Sequence, residues 1–225
     1  MKRDVTPFLR GRNYPAIYRV KEIQEQGIML CNFFPGIGSI DSDFALPPLP
    51  EGAEAWFVLP RWQAVAGNYI AAVQHALHRL AEQRKFWVCR PRLINMSLTR
   101  QPRLEKFLKI ISEQQRGHNL LIVPCQFGTK HRGMSVRDSR EAFPPAEFGL
   151  GVFEVACMLL THPERLVDSN SLSVDCCGEV CTPGDCFRLC TVPHFTFYVS
   201  GLCLDNSLST YEDRGFGSVT GFLAQ

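Results

Sequence analysis

Residues 120–133, LLIVPCQFGTKHRG, begin with the four aliphatic residues that decide the fold of this chain. An aliphatic run of this length is too short for a helix and is typical of a strand buried on both faces. We therefore predict a buried strand at 120–123. The residues after it, rich in glycine and basic side chains, predict a loop at the strand end, where ligand-binding groups often lie in sheet proteins.

Helical periodicity is present on both sides of this strand. Apolar residues recur at three- and four-residue steps over 60–84, which predicts a long amphipathic helix beginning at Pro60. A second helix is predicted to begin at Pro102 and to stop at Gly117. A third is predicted after Pro145, running to Thr161. It is apolar on most sides, so its Glu154 would be buried and would need a partner.

Strand patterns occupy the rest of the chain. Strands are predicted at 28–34, at 54–59 and at 194–199, and Gly, Asp, Asn and Ser clusters separate apolar runs after residue 171. This order predicts an α+β fold, a mixed or antiparallel sheet packed with about three helices and a strand-rich C-terminal part. We interpret residues 1–225 as a single compact domain, with a subdivision into 1–168 and 169–225 as the alternative.

The composition is that of a globular protein, with 45% hydrophobic residues and 16 phenylalanines among 225 residues. The first dozen residues contain no apolar run, so neither an export signal nor a membrane association is expected, and we predict a cytoplasmic protein. Most of the 10 cysteines are then expected to be free thiols. The oligomeric state stays open.

Charge is unevenly distributed along the chain. Residues 1–78 carry no net charge, residues 79–149 carry +8 and residues 150–225 carry −6, which gives the overall +2. Such asymmetry is typical of proteins that bind polyanions, although the basic and acidic parts could instead pack against each other. The favoured hypothesis is a binding protein that contacts nucleic acid, a nucleoprotein or another polyanion through a basic segment at about 84–140.

The candidate phosphate-binding residues of this segment share positive or titratable side chains in or near glycine-punctuated stretches. They are Arg90, Arg92, Lys130, His131, Arg132, Arg137 and Arg140. An alternative hypothesis is an enzyme with a pocket at the strand end around Cys125–Arg140. Its candidate catalytic pair is Cys125 as nucleophile and His131 as base.

A further alternative is a zinc-stabilised structural or interaction module near the C-terminus. Zinc takes about four soft ligands, and the cysteines that could supply them are Cys176, Cys181, Cys186 and Cys190. Their spacing differs from the usual pair of C-x2-C knuckles, and free thiols in a β region are the competing interpretation. Apart from zinc, no cofactor is predicted.

Overall fold

A computed structural model describes residues 12–41, 43–90, 98–181, 190–199 and 201–224. Over these residues the chain forms eleven strands and six helices. The strands are β1 Ala55–Pro60, β2 Phe86–Val88, β3 Leu98–Arg100, β4 Leu120–Gln126, β5 Glu147–Gly149, β6 Ser173–Asp175, β7 Glu179–Cys181, β8 Thr191–Tyr198, β9 Gly201–Leu208, β10 Phe216–Ser218 and β11 Thr220–Phe222. The helices are α1 Ile23–Phe33, α2 Trp62–Val65, α3 Tyr69–Gln83, α4 Pro102–Gln114, α5 Val136–Glu141 and α6 Val152–Thr161.

The first sheet is antiparallel and has the order β1-β4-β11-β5. Every residue of β4 is buried, as its aliphatic sequence predicts, and Val123 lies opposite Phe57 of β1. Helices α1 and α6 pack against β1, while α4 packs against β4 and β5. The strand predicted at 120–123 is therefore an interior strand of this sheet.

The second sheet has seven strands and is mixed. Its longest pairing joins β8 to β9 along one edge of β8, while β6 and β7 pair with different parts of β8. Parallel pairing joins β10 to β6 and β2 to β9, and β3 pairs antiparallel with β7. Residues of both sheets belong to one buried apolar cluster, which includes Val123 of β4 and Phe195 of β8.

The observed architecture confirms an α+β fold with mixed and antiparallel sheets and a strand-rich C-terminal part. Six helices are present over the described residues instead of about three. The helix predicted from Pro102 is confirmed as α4, which ends before Gly117, a residue with φ of 87°. No helix in the described part of the chain has the length and apolar character needed to span a membrane.

The strand prediction at 28–34 is wrong, because these residues form the second half of α1. The buried residues of α1 are Gln26, Gly27 and Leu30, a helical spacing, whereas Ile28 is 64% exposed. The Gln26 side chain fixes this helix against β1, since its Oε1 accepts from the Val58 N–H at 2.9 Å. A single polar residue with a tertiary role thus overrides an apolar run that resembles a strand.

Two other helix predictions are too long. The 60–84 periodicity is divided into α2 and α3 by Gly67 and Asn68, and the Asn68 side chain caps α3 by accepting from the Ala71 N–H at 2.9 Å. The predicted helix after Pro145 begins instead as strand β5, because residues 147–149 pair with β11. Helix α5, at six residues, has too few turns for its periodicity to be recognised in the sequence.

Candidate ligand-binding groove and the polar network beneath it

A groove of about 340 Å³ opens where β1 ends and α2 begins, with α4 forming its opposite wall. We call it the basic groove and define it by Arg61, Trp62, Arg100, Lys106 and Lys109. Its volume lies within the range of small-molecule and cofactor sites.

A backbone hydrogen bond at the turn after β1 and the spacing of residues on α4 position these side chains. The turn after β1 is held by the Arg61 N–H, which donates to the Asn119 carbonyl at 2.7 Å. Lys106 and Lys109 are three residues apart on α4, so they project from the same face of the helix, opposite its buried Leu104. The groove therefore has one cationic wall on the turn and another on the helix.

The charges of Arg61, Lys106 and Lys109 are not neutralised locally. Among the described residues none of these three side chains has a carboxylate within ion-pair distance. Both lysines are exposed, and Trp62 is half-buried with its ring edge-on to Tyr69. Unneutralised cations beside an aromatic ring make the groove suitable for an anionic ligand with a planar group.

An ion pair forms the floor of the groove. The Arg100 Nη1 lies 2.9 Å from Glu154 Oε1, and the two side chains are 8% and 2% exposed. Arg100 also pairs with Glu105 and lies over the Tyr69 ring at 4.5 Å. Burial opposes the charge on Arg100, but Glu154 and the other neighbours outweigh it and raise its pKa. Glu154 thus has the partner that its buried position requires.

Beneath this floor lies a second buried carboxylate, Glu179 of β7. Its Oε1 accepts from the Tyr69 hydroxyl, and its Oε2 accepts from the Val152 N–H at 3.2 Å. Burial, followed by the charge of Glu154, raises the pKa of Glu179 to about 7. Glu179 and the Arg100–Glu154 pair therefore belong to one buried polar cluster around Tyr69.

The two carboxylates close around Gly151, at the start of α6. A Cβ at this position would overlap Glu179 Oε1 and would lie 2.8 Å from Glu154 Oε2. Glu154 Oε2 also accepts from the Gly151 N–H at 3.1 Å. The first N–H groups of α6 are thus satisfied by carboxylates, which the positive end of the helix dipole favours.

The structure places most of the predicted phosphate-binding residues in internal contacts. Lys130 and His131 both bond to the buried Glu147, at 2.6 and 2.7 Å. Arg132 donates to the Arg214 carbonyl and to the Asn13 side chain. These contacts join β4, β5 and the neighbouring loops, and of the three residues His131 is buried, Arg132 is half-buried and Lys130 is exposed.

The remaining predicted cations differ in exposure. The Arg140 guanidinium is half-buried and donates to the Cys177 and Glu179 carbonyls, at 2.8 Å each, and burial lowers its pKa. Arg90 is exposed and lies 3.4 Å from an oxygen of Asp205. Arg137 is exposed and has no side-chain partner among the described residues. Arg92 lies outside the described residues.

The structure does not bring the predicted catalytic pair together. Cys125 is fully buried within the apolar cluster, and its Sγ donates to the Val123 carbonyl at 3.5 Å. Burial, then the charges of Glu54 and Glu154, raises its pKa well above the ordinary value, which disfavours the thiolate. His131 instead directs its Nε2 to Glu147.

The predicted zinc ligands differ in burial, and Cys181 lies beside Cys190 where β7 pairs with β8. Cys176 and Cys181 are buried, Cys190 is exposed, and Cys186 lies outside the described residues. Across the described ranges, no group of three or more His, Cys, Asp or Glu side chains is placed to hold a metal ion.

One pair of cysteines is not free. Cys89, which follows β2, forms a disulfide with Cys203 of the adjacent strand β9. The parallel pairing of these strands, over residues far apart in sequence, brings the two thiols together. Seven other described cysteines are free.

Sequence reasoning missed the groove because its residues come from separate elements. Arg61 and Trp62 adjoin the predicted helix start at Pro60, and Lys106 and Lys109 lie on the polar face of the predicted second helix. The two lysines three residues apart on that face were the signal in the sequence that could have indicated the groove, but only the pairing of β1 with β4 places them opposite Arg61.

Comparisons with family models, curated proteins and solved structures found no match to this chain.

Proposed function

We propose that this protein binds single-stranded nucleic acid in the basic groove. The observation that carries the proposal is the convergence of three unneutralised cations, Arg61, Lys106 and Lys109, around the half-buried Trp62. Cations that follow a phosphate backbone beside an aromatic side chain that stacks on a base are the common features of such sites.

The proposed ligand is a polyanion, as the sequence predicts, but most of the residues proposed to contact it differ from those predicted from the sequence. Lys106 and Lys109 lie within the basic segment at 84–140, whereas Arg61 and Trp62 lie outside it. Two exposed cations of the predicted set, Arg90 and Arg137, supply a matched comparison, because neither lines the groove. A cytoplasmic location is part of this proposal.

The two alternative hypotheses have less support from the geometry. An enzyme at Cys125–Arg140 would need a nucleophile other than the buried Cys125. A zinc module would need Cys186 together with residues that lie partly in the core. Metal analysis of protein purified without chelators tests the zinc alternative directly.

Fluorescence anisotropy with a labelled single-stranded oligonucleotide tests the proposal. For three phosphate contacts, raising salt from about 50 to about 200 mM should weaken binding about 20-fold, through counterion release. The variant Lys106→Gln/Lys109→Gln should bind at least about tenfold more weakly and should show a shallower salt dependence, since glutamine preserves helix propensity while removing both charges.

The matched control is Arg90→Gln/Arg137→Gln, which should bind as tightly as the wild type. Thermal melting of each variant verifies that the fold is unchanged. Absence of binding by the wild type at low salt would overturn the proposal. Loss of binding in the control variant alone would move the interface to the Arg90 and Arg137 surface.

A further inference from the structure

A second cavity, of about 690 Å³, lies at the end of the first sheet and shares no lining residue with the basic groove. We call it the proline-walled cavity. Its walls are mainly apolar and come from Pro48, Pro50, Pro144, Ala146, Phe222 and Leu223. Proline has little conformational freedom, so walls of this composition lose little entropy when a ligand binds.

Among the described residues that line the cavity, Lys130 supplies the one accessible cationic group, its ammonium. Its Nζ lies 2.6 Å from Glu147 Oε2 and 4.8 Å from the centre of the Phe222 ring. The Lys130 side chain is 27% exposed, whereas the Glu147 side chain is 0% exposed. Glu51 also lines the cavity, but it is exposed to solvent. Among the described lining residues Lys130 therefore supplies the positively charged hydrogen-bond donor, while solvent screens the charge of Glu51.

Glu147 is enclosed by donors on its other side. His131 Nε2 lies 2.7 Å from Glu147 Oε1, and the Thr220 hydroxyl donates to the same oxygen at 2.6 Å. Burial alone would raise the pKa of Glu147, but the hydrogen bonds from His131, Lys130 and Thr220 outweigh it and lower that pKa. The carboxylate stays ionised and fixes Lys130 through one N–H of its ammonium, and the other two N–H groups remain for a ligand.

The backbone that carries Lys130 is also fixed. Gln126, at the end of β4, accepts from the Gly128 N–H at 2.7 Å and from the Lys130 N–H at 3.3 Å. Its Nε2 donates to the Ser218 carbonyl and to the Thr220 hydroxyl. The cation is thus held by buried side chains in advance of any ligand, the arrangement that a specific small-molecule site requires.

We propose that the proline-walled cavity binds a small organic anion. The apolar body of the ligand packs against Pro48, Pro144, Phe222 and Leu223, and its carboxylate, sulfonate or phosphate accepts a hydrogen bond from the Lys130 ammonium. This site is independent of the basic groove, since the two share no lining residue.

Two fluorescent probes with the same apolar body test the site. The anion 8-anilinonaphthalene-1-sulfonate should bind the full chain with increased emission, whereas neutral N-phenyl-1-naphthylamine should bind more weakly. Lys130→Met, which keeps the length of the side chain but removes its charge, should weaken binding of the sulfonate at least about tenfold. It should leave binding of the neutral probe almost unchanged.

Two further variants keep the test decisive. Ala146→Trp fills the cavity without altering its charges and should abolish binding of both probes, while Lys130→Arg should retain the sulfonate. Lys109→Met, in the other groove, should bind both probes normally, and thermal melting should show that all variants are folded. Equal binding of the two probes, absence of sulfonate binding, or unchanged binding by Ala146→Trp would each overturn the proposal.

Discussion

Gly151 is the residue on which the polar network under the basic groove depends. Its missing side chain leaves the space in which Glu154 and Glu179 approach the start of α6. The backbone there is extended, with φ of −93°, so the requirement for glycine comes from packing and not from a left-handed conformation. The proximity of the two carboxylates, in turn, contributes to the raised pKa of Glu179.

Gly151→Ala should destabilise the protein by about 1–3 kcal/mol, because the new methyl group displaces two buried carboxylates. Urea unfolding monitored by circular dichroism measures this change. Gly67→Ala is the control, since a Cβ at that position has no atom within 4 Å and the residue lacks a positive φ. It should be neutral or slightly stabilising. Equal effects of both substitutions would contradict the packing argument.

At the scale of elements, the wall of the basic groove depends on the break between α2 and α3. The change of direction after Val65 lets Trp62 line the groove while Tyr69 reaches Glu179. An uninterrupted helix over 60–84 would place these residues seven apart on one continuous face. The Asn68 side chain sets where α3 begins, through its hydrogen bond to the Ala71 N–H.

Asn68→Ala should cost about 1 kcal/mol of stability, the usual effect of removing an N-cap side chain. Asn68→Ser keeps a capping oxygen and should restore most of that loss. Chemical denaturation of the two variants measures both values. If alanine and serine have the same effect, the cap does not define the start of α3.

At the scale of the whole molecule, four buried groups give opposing pH dependences. Burial lowers the pKa of His162 and of His194 to about 4, and their contribution to stability is lost as pH falls from about 6.5 toward 4. Burial raises the pKa of Asp175 and of Glu179 to about 7, so their contribution to stability is lost as pH rises from about 4 to about 7. The contributions of the two histidines and of the two carboxylates to the pH dependence of the unfolding free energy therefore largely cancel between pH 4 and 7.

His162→Gln removes one side of this balance and should make the protein progressively more stable, relative to the wild type, as pH falls from 6.5 to 4. His162 accepts from the Lys21 N–H at 3.1 Å, so the variant is expected to be less stable at pH 8. Unfolding free energies at several pH values measure the difference. A difference that does not change with pH would show that the pKa of His162 is the same in the folded and unfolded states.

The sequence by itself determined the α+β class, the buried strand at 120–123 and the helix from Pro102, because each depends on local periodicity and turn residues. It also indicated that Glu154 would need a partner. The helical state of residues 28–33 depended on contacts with β1, which periodicity does not contain.

Only the tertiary structure decided which charges are available to a ligand. His131 and Arg140 look like free basic residues in the sequence, yet His131 is buried against Glu147 and Arg140 donates to the Cys177 and Glu179 carbonyls. Lys106 becomes part of a groove because β1 pairs with β4 and brings Arg61 opposite α4. The sequence determines which side chains are charged, but whether each charge is neutralised depends on contacts between residues far apart in the chain.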